Sequence, residues 1–329
     1  MATFQEARSF LEGEFWEKDS SMVATAAKNP SVSQQNDAYR LSRILDSDGF
    51  TALLFLFIPL LILGALKFYP VVFNLVISFT NYDLSPNFRF VGLRNYQEIL
   101  TNDVYLKAIR NTLLYVVGTV PIGTFLSLFI ATLLNQGIRG RLFFRTAFYL
   151  PVVTSVAATA LVWRWIMNPQ GGLANTALDS LGLPGLGWLT DPNTAMLSLV
   201  VITLWGGIGG NMVIFLAGLQ GIPSELYEAA EIDGARAWQS FFYITIPMLS
   251  PVTLFVVVTY TIAIFRSFGL IFMLTQGGPS LSTNTLVWEV YQTAFGYLRF
   301  GLGAAISVVL LLTILLLSIP MRLFQGEDF

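Results

Sequence analysis

No cysteine and no histidine occur anywhere in the 329 residues. The first absence excludes disulfides, thiolate metal sites and cysteine nucleophiles. The two together exclude Ser-His and Cys-His nucleophile pairs and HExxH zinc sites. Charge is scarce too: 12% of residues are Asp, Glu, Lys or Arg, where a soluble chain carries about 25%. Only Lys18, Lys28, Lys67 and Lys107 are lysines, and none follows a G-x-x-x-x-G-K-[ST] loop, so no phosphate-cradling ATP site of that kind is expected in this chain. The formal charge of −2 gives no basis for nucleic-acid binding. Residues 1–50 contain no apolar h-region, so no cleavable signal peptide is expected.

What is abundant is apolar surface, 54% of the residues, with a mean hydropathy of +0.65. A membrane-crossing helix needs roughly 20 largely apolar residues to traverse about 30 Å of hydrocarbon. Six stretches meet that requirement: 51–79, 112–134, 147–167, 194–218, 250–275 and 301–324. The expected fold is therefore an all-α polytopic membrane protein with six transmembrane helices over residues 48–329, preceded by a tail at 1–47. The first stretch is longer than one crossing requires and contains Pro59 and Pro70, which predicts a tilted or kinked helix. In the tail, Phe4, Leu11 and Phe15 recur at helical spacing among Glu6, Glu12, Glu14 and Glu17. That pattern fits either a short amphipathic helix at 2–19 or a solvated segment without a fixed role. Residues 20–37, rich in Ser, Gln, Asn and Ala, read as a linker, and no internal repeat of the transporter type is present.

Six crossings put both termini on one side. With the N-terminus inside, the inner segments hold ten Lys and Arg and the outer segments five, which predicts cytoplasmic termini. The fourth stretch then exits to the cytoplasm and the fifth enters from it, making 219–249 an internal loop. It is unusually polar. Ser224 stands at a helix start as a possible N-cap with Glu225 in the first turn. Glu225, Glu228 and Glu231 fall three apart on one face, with Leu226, Ala229, Ala230 and Ile232 on the other. Gly234 lets the chain change direction, and a second helical segment, 237–246, follows. Two short helices joined at a glycine make a knuckle suited to a groove in another protein. A helix lying on lipid would instead place Lys or Arg beside the headgroups.

At this loop the chain resembles the permease subunits of binding-protein-dependent ABC importers. Their signature, Glu-Ala-Ala, three residues, Gly, nine residues, Ile-x-Leu-Pro, reads here as Glu228-Ala229-Ala230, Gly234, Ile244-x-Ile246-Pro247, with Ile for Leu as the one departure. Ser78-Phe79-Thr80-Asn81-Tyr82, Phe90-Val91-Gly92-Leu93-x-Asn95-Tyr96, Asn111-Thr112-Leu113 and Leu274-Thr275-Gln276-Gly277-Gly278-Pro279 are similar to sugar-importer permeases, above all to the larger, maltose-type partner of each pair. The resemblance runs from about residue 48 to the C-terminus. It implies carbohydrate import across a bacterial or archaeal cytoplasmic membrane. The implied partners are a second, homologous permease, two ATPase subunits that hold the ATP and Mg, and an external substrate-binding protein. No cofactor is expected in this chain. The resemblance also implies a coupling helix that docks into the ATPase, formed by Glu225, Tyr227, Glu228, Ala229, Ala230, Asp233, Gly234 and Ala235.

A sugar offers an apolar ring face and a fringe of hydroxyls, so its transient site calls for an aromatic platform and a few hydrogen-bonding groups. The fourth stretch contains Thr203-Leu204-Trp205-Gly206-Gly207-Ile208-Gly209-Gly210-Asn211, in which four glycines remove side-chain volume beside an indole. The resemblance puts the substrate pathway on this helix, at Thr203, Trp205, Gly206, Gly207, Gly210 and Asn211, and on the fifth, at Tyr260, Ile264, Arg266 and Ser267. Ile264, Gly206 and Gly210 replace larger polar residues of the maltose-type site, which argues against the same sugar. The glycines also suit close helix packing. An arginine inside a span faces a cavity, an internal partner or the nearer surface, and all three readings stand for Arg266. Arg164, between Trp163 and Trp165, and Lys67 read as interfacial anchors. A channel would need a filter-like loop or a ring of charge in a span, and a secondary transporter more often carries a midplane carboxylate. Neither feature occurs. A polyol or an osmolyte glycoside remains the alternative solute.

Overall fold

Within hydrocarbon every backbone N–H and C=O must be satisfied by the chain itself, so long apolar runs become helices. The computed structural model, which describes residues 48–86 and 88–323, is helical throughout. The expected features at 2–19 and 20–37, and the last residue of the sixth stretch, lie outside the described residues. Among the described residues the one extended pairing is an isolated bridge between Thr80 and Phe90.

In chain order the helices are α1 (Asp48–Leu63), α2 (Tyr69–Ile77), α3 (Arg94–Thr101), α4 (Asp103–Asn135), α5 (Arg141–Val153), α6 (Val156–Ile166), α7 (Leu173–Ser180) and α8 (Ala195–Gln220). They continue as α9 (Ser224–Ile232), α10 (Ala237–Ser240), α11 (Ile246–Met248), α12 (Ser250–Phe265), α13 (Gly269–Leu274), α14 (Leu286–Tyr291) and α15 (Phe300–Leu323). Contacts divide the chain into two units, Met1–Val72 and Phe73–Phe329. In the first, α1 contains Pro59 and runs into a π-turn at Gly64–Phe68, where Tyr69 N–H reaches back five residues to the Gly64 carbonyl. The expected irregularity of the first span takes this form because Pro70 has no N–H with which to continue the ordinary ladder.

In the second unit α4 is the central post. Its 33 residues extend about 50 Å, well beyond one bilayer core, and Asn102 caps it by accepting from Val104 N–H at 2.9 Å. The helix packs chiefly against α8 and also against α12, while α8 lies against α5. Buried side chains form three successive clusters along this post. One, at the end carrying the 219–249 loop, includes Leu134, Met212 and Phe215. A central cluster includes Tyr115, Ile202 and Phe265. At the opposite end, Ile99, Tyr105 and Ile306 form the third.

Two of the six stretches are broken. The third, expected as a single helix over 147–167, consists of α5 and α6 bent by 103°. Pro151 closes the last turn of α5, Thr154 N–H bonds the Pro151 carbonyl, and the Ser155 hydroxyl starts α6 by accepting from Ala158 N–H. The fifth, expected over 250–275, ends its first helix at Phe265 and resumes at Gly269. Five helices are long and apolar enough to cross a membrane, and the bent α5–α6 pair qualifies as a further, broken span.

The motifs of the first half and of the 274–279 segment are staples of the end opposite the loop. The Asn95 side-chain amide donates to the Ser78 and Thr80 carbonyls, both at 2.8 Å. The Asn111 amide donates to the Leu281 and Asn284 carbonyls at 2.8 and 2.9 Å, and Leu286 N–H donates to the Thr112 hydroxyl at 2.8 Å. Arg299 grips Glu98 with two bonds of 2.8 and 2.7 Å, which holds the Glu98 carboxyl below the usual carboxylate range. Glu289 is the opposite case: it is buried, with Asn284 Nδ2 donating to it at 2.7 Å, and burial pushes its carboxyl up. A raised folded-state value means that the stability this group contributes is complete below the unfolded carboxyl range and is lost as pH rises through the raised value. Glu289→Gln is therefore expected to flatten the decline of the unfolding midpoint as pH rises above the ordinary carboxyl range, followed in detergent by intrinsic fluorescence. An unchanged pH profile would remove Glu289 as its source.

Candidate functional site

The glycine run of α8 separates by what each position faces. A Cβ at Gly209 would lie against the Phe148 carbonyl, and one at Gly207 would stand 2.8 Å from the Tyr260 hydroxyl. These two glycines admit close neighbours. Gly206 has nothing within 4 Å, and at Gly210 only Val152 is within reach, at 4.0 Å. Trp205, 41% exposed, stands beside this open strip with its ring edge against Trp163 at 5.7 Å. Close packing thus accounts for Gly207 and Gly209, while Gly206 and Gly210 leave space open beside the indole.

Across the strip's buried side, Tyr115 of α4 joins the other two helices. Its hydroxyl lies 2.5 Å from the Thr203 hydroxyl on α8 and 3.3 Å from the Ser267 hydroxyl in the break after α12. Sequence reasoning missed Tyr115. A usable signal existed, a tyrosine in an apolar run with Asn111 and Thr119 four residues to either side, but its partners are 88 and 152 residues away. Tyr260 is buried and its hydroxyl has no partner among the described residues, as is true of the Asn211 Nδ2 amide and the Thr119, Thr124 and Thr261 hydroxyls. Ile264 is packed into the central cluster.

Two arginines sit where helices are interrupted or end. Arg266 lies within the Ser250–Leu274 span, at its short helical interruption: it is the residue after α12, exposed, with its N–H bonded to the Ile262 carbonyl and no hydrogen bond or ion pair from its side chain among the described residues. Arg164 also caps a helix. Its Nη2 donates to the Met273 and Leu274 carbonyls at 3.3 Å, satisfying groups that the end of α13 leaves open. Because Gly269, at the start of α13, lies against Val156 at the start of α6, these two half-spans run side by side in the same direction.

The second region is the 219–249 loop. The helix start falls one residue before the expected cap: Pro223 takes the N-cap position at φ −58°, ψ 132°, and the Ser224 side chain caps nothing. Helix α9 ends in a Schellman arrangement, with Ala235 N–H on the Ala230 carbonyl at 2.8 Å, Gly234 N–H on the Glu231 carbonyl at 3.0 Å, and Gly234 at φ +77°. Asp233 is the residue just before that turn. The expected segment 237–246 is α10, a π-turn at Phe241–Thr245 and the first residue of α11. The Tyr227 and Thr245 hydroxyls, 2.9 Å apart, lock the two limbs together.

The assignment of faces on α9 also changes. Glu225, Glu228 and Ala229 are exposed, but so is Ile232, at 87%, which stands apart from the expected apolar side. Only Tyr227 and Ala230 of α9 are half-buried; Glu231 is exposed and also borders a cavity under the loop. What the loop presents outward is the carboxylates Glu225, Glu228, Glu231 and Asp233 with Ile232 and the half-exposed Trp238, a mixed surface typical of protein contacts.

A bundle of apolar helices, two of them broken beside an open aromatic strip, with a capped helical knuckle at one end, defines a membrane transport component. The chain belongs to the family of binding-protein-dependent transport system inner membrane components, matched over residues 123–326. It is a multi-pass permease subunit. A probable ABC transporter permease of Pyrococcus horikoshii is 40% identical over 281 residues, covering 84% of this chain and 96% of that one. The arabinooligosaccharides transport system permease protein AraP of Halalkalibacterium halodurans is 40% identical over 264 residues (79% and 83%). The lactose transport system permease protein LacF of Rhizobium radiobacter is 34% identical over 285 residues (84% and 94%). In fold, the chain is similar to one from the crystal structure of a bacterial ABC transporter involved in alginate import, with a TM-score of 0.74 at 22% identity, covering 87% of this chain and 98% of that one.

Proposed function

We propose that this permease forms, with a second homologous permease, the pathway by which a sugar or oligosaccharide delivered by an external binding protein crosses the cytoplasmic membrane of a bacterium or archaeon. Two ATPase subunits supply the ATP and Mg chemistry, docked on Glu225, Tyr227, Glu228, Ala229, Ala230, Asp233, Gly234 and Ala235. Counting the bent α5–α6 pair as one crossing gives six, and the bias of Lys and Arg then assigns both termini to the cytoplasm. Residues 48–329 are the transmembrane domain and 1–47 a cytoplasmic tail. The observation that carries the carbohydrate reading is the exposed Trp205 indole beside the open strip at Gly206 and Gly210, a flat apolar platform for a sugar ring. The names of the arabinooligosaccharide and lactose relatives support it. A polyol or osmolyte glycoside is the alternative. The unpaired Arg266 favours a solute whose edge is rich in hydrogen-bond acceptors.

Transport proceeds by alternating access. ATP closes the ATPase pair, the docked loop moves with it, and the helices turn so that the strip beside Trp205 opens to the loaded binding protein; hydrolysis restores the first state. Trp205→Ala is expected to cut uptake of the cognate sugar at least roughly tenfold with assembly intact, measured in proteoliposomes holding the whole importer. Unchanged uptake across candidate sugars would take this face of α8 out of the pathway.

A further inference from the structure

Beneath the loop a crevice begins, bordered on its loop side by Tyr227 and Ala235 of the docking set. A cavity of about 450 Å³ lies between α9, α10 and the end of α4, and a second of about 360 Å³ continues it along α4. They share Thr132, Gln136, Ala237 and Phe241 and so adjoin at those residues. The two halves of the crevice differ in chemistry. The first is bordered by Asn135, Gln136, Glu231 and Ser240; the second by Phe125, Leu128, Phe129 and Leu133. Phe125, Phe129 and Leu133 are all exposed and follow one another at four-residue spacing, the two rings stacked with centroids 6.3 Å apart.

Depth and charge narrow what fits. From Phe125 to Gln136 is eleven residues of helix rise, about 17 Å, close to half of a hydrocarbon core of about 30 Å. The apolar half therefore reaches from the level where α4 leaves the membrane to about the bilayer midplane, the depth of one leaflet. Among the described lining residues the sole charge is the Glu231 carboxylate; Arg236, between the lining residues Ala235 and Ala237, is not among them. A phosphate without a compensating cation is disfavoured there, and an ammonium is favoured.

We propose that this crevice binds one phospholipid of the loop-side leaflet, its acyl chain along Phe125, Phe129 and Leu133 and its ethanolamine headgroup at Glu231. The lipid wedges the end of α4 against the α9–α11 loop and so makes the knuckle's position depend on the membrane's headgroups. The site stands whichever solute the importer carries, so its failure would leave the carbohydrate reading untouched.

The test uses the intact complex purified through this chain and exchanged against vesicles with equal parts of ethanolamine, choline and glycerol phospholipids, with retained lipid read by native mass spectrometry. One ethanolamine phospholipid is expected, in excess over the other two by roughly tenfold. Ala237→Trp, which fills the neck between the two halves, should lose it. Glu231→Gln should keep a lipid but retain ethanolamine and choline forms equally. Equal retention of the glycerol phospholipid by the wild type, or full retention in Ala237→Trp, would overturn the proposal. No retained lipid in the wild-type complex would also overturn it, since a protein partner then fills the space.

Discussion

Gly234→Val should reduce solute-stimulated ATP hydrolysis by the reconstituted importer to its basal level while leaving the chain inserted at wild-type amounts. The residue sits at φ +77° in the turn that ends α9, a conformation that costs a β-branched side chain about 1–3 kcal/mol. Space is not the obstacle, because a Cβ there meets nothing within 4 Å. The strain is relieved only by unwinding the turn, which releases the bonds from Ala235 to Ala230 and from Gly234 to Glu231 and displaces the surface around Glu228. Gly234→Asn, whose short polar side chain tolerates the left-handed region, should keep most of the stimulation. Wild-type stimulation in the valine variant would show that this turn does not carry the coupling.

Gly209 and Gly206 should respond in opposite ways, three residues apart on one helix. At Gly209 an added Cβ would meet the Phe148 carbonyl and stand 3.0 Å from the Tyr149 Cα. Both are backbone atoms, which no rotamer change can move aside. Gly209→Ala should force α8 and α5 apart, at a cost in the 1–3 kcal/mol range of overpacking or above it, seen as a lower unfolding midpoint and a lower yield of assembled complex. Gly206→Leu enters open space and exchanges a poor helix former for a good one. That variant should assemble normally and lose uptake, because the new side chain occupies the strip beside Trp205. If Gly206→Leu transports at the wild-type rate, the strip is not part of the pathway; if Gly209→Ala is fully stable, the helices yield more than their backbone contact implies.

Much of the fold was legible because hydropathy is a local property. Where a run of roughly twenty apolar residues occurs, a helix follows with or without neighbours, so α4, α8 and α15 fall close to their expected positions. Breaks inside such runs are another matter. The residues 147–167 read as one span, since Thr154 and Ser155 barely lower the hydropathy of their window. The 103° bend arises where Pro151 ends one ladder and Ser155 caps the next. The break before Gly269 is just as invisible, although it is what moves Arg266 from the interior of a helix to its end.

The loop shows the same division at finer scale. Its signature spacing located the knuckle and the turn at Gly234, because a glycine after a helical run marks a C-terminus by itself. It did not show that Ala229 and Ile232 are exposed together with the carboxylates. An amphipathic wheel assumes that apolar means inward, and a helix with no buried residue on any side breaks the assumption.

By itself, then, the sequence determined that this protein lives in a membrane, crosses it as helices and carries a polar helical loop that turns at a glycine, because each of these follows from composition or from spacing within a few turns of chain. Only the tertiary structure decided which glycines pack and which stand open, that Tyr115 joins Thr203 to Ser267, and that Arg164 caps α13. These are contacts between residues roughly 50 to 150 positions apart, and no local pattern encodes which side of one helix will meet which side of another until both are packed.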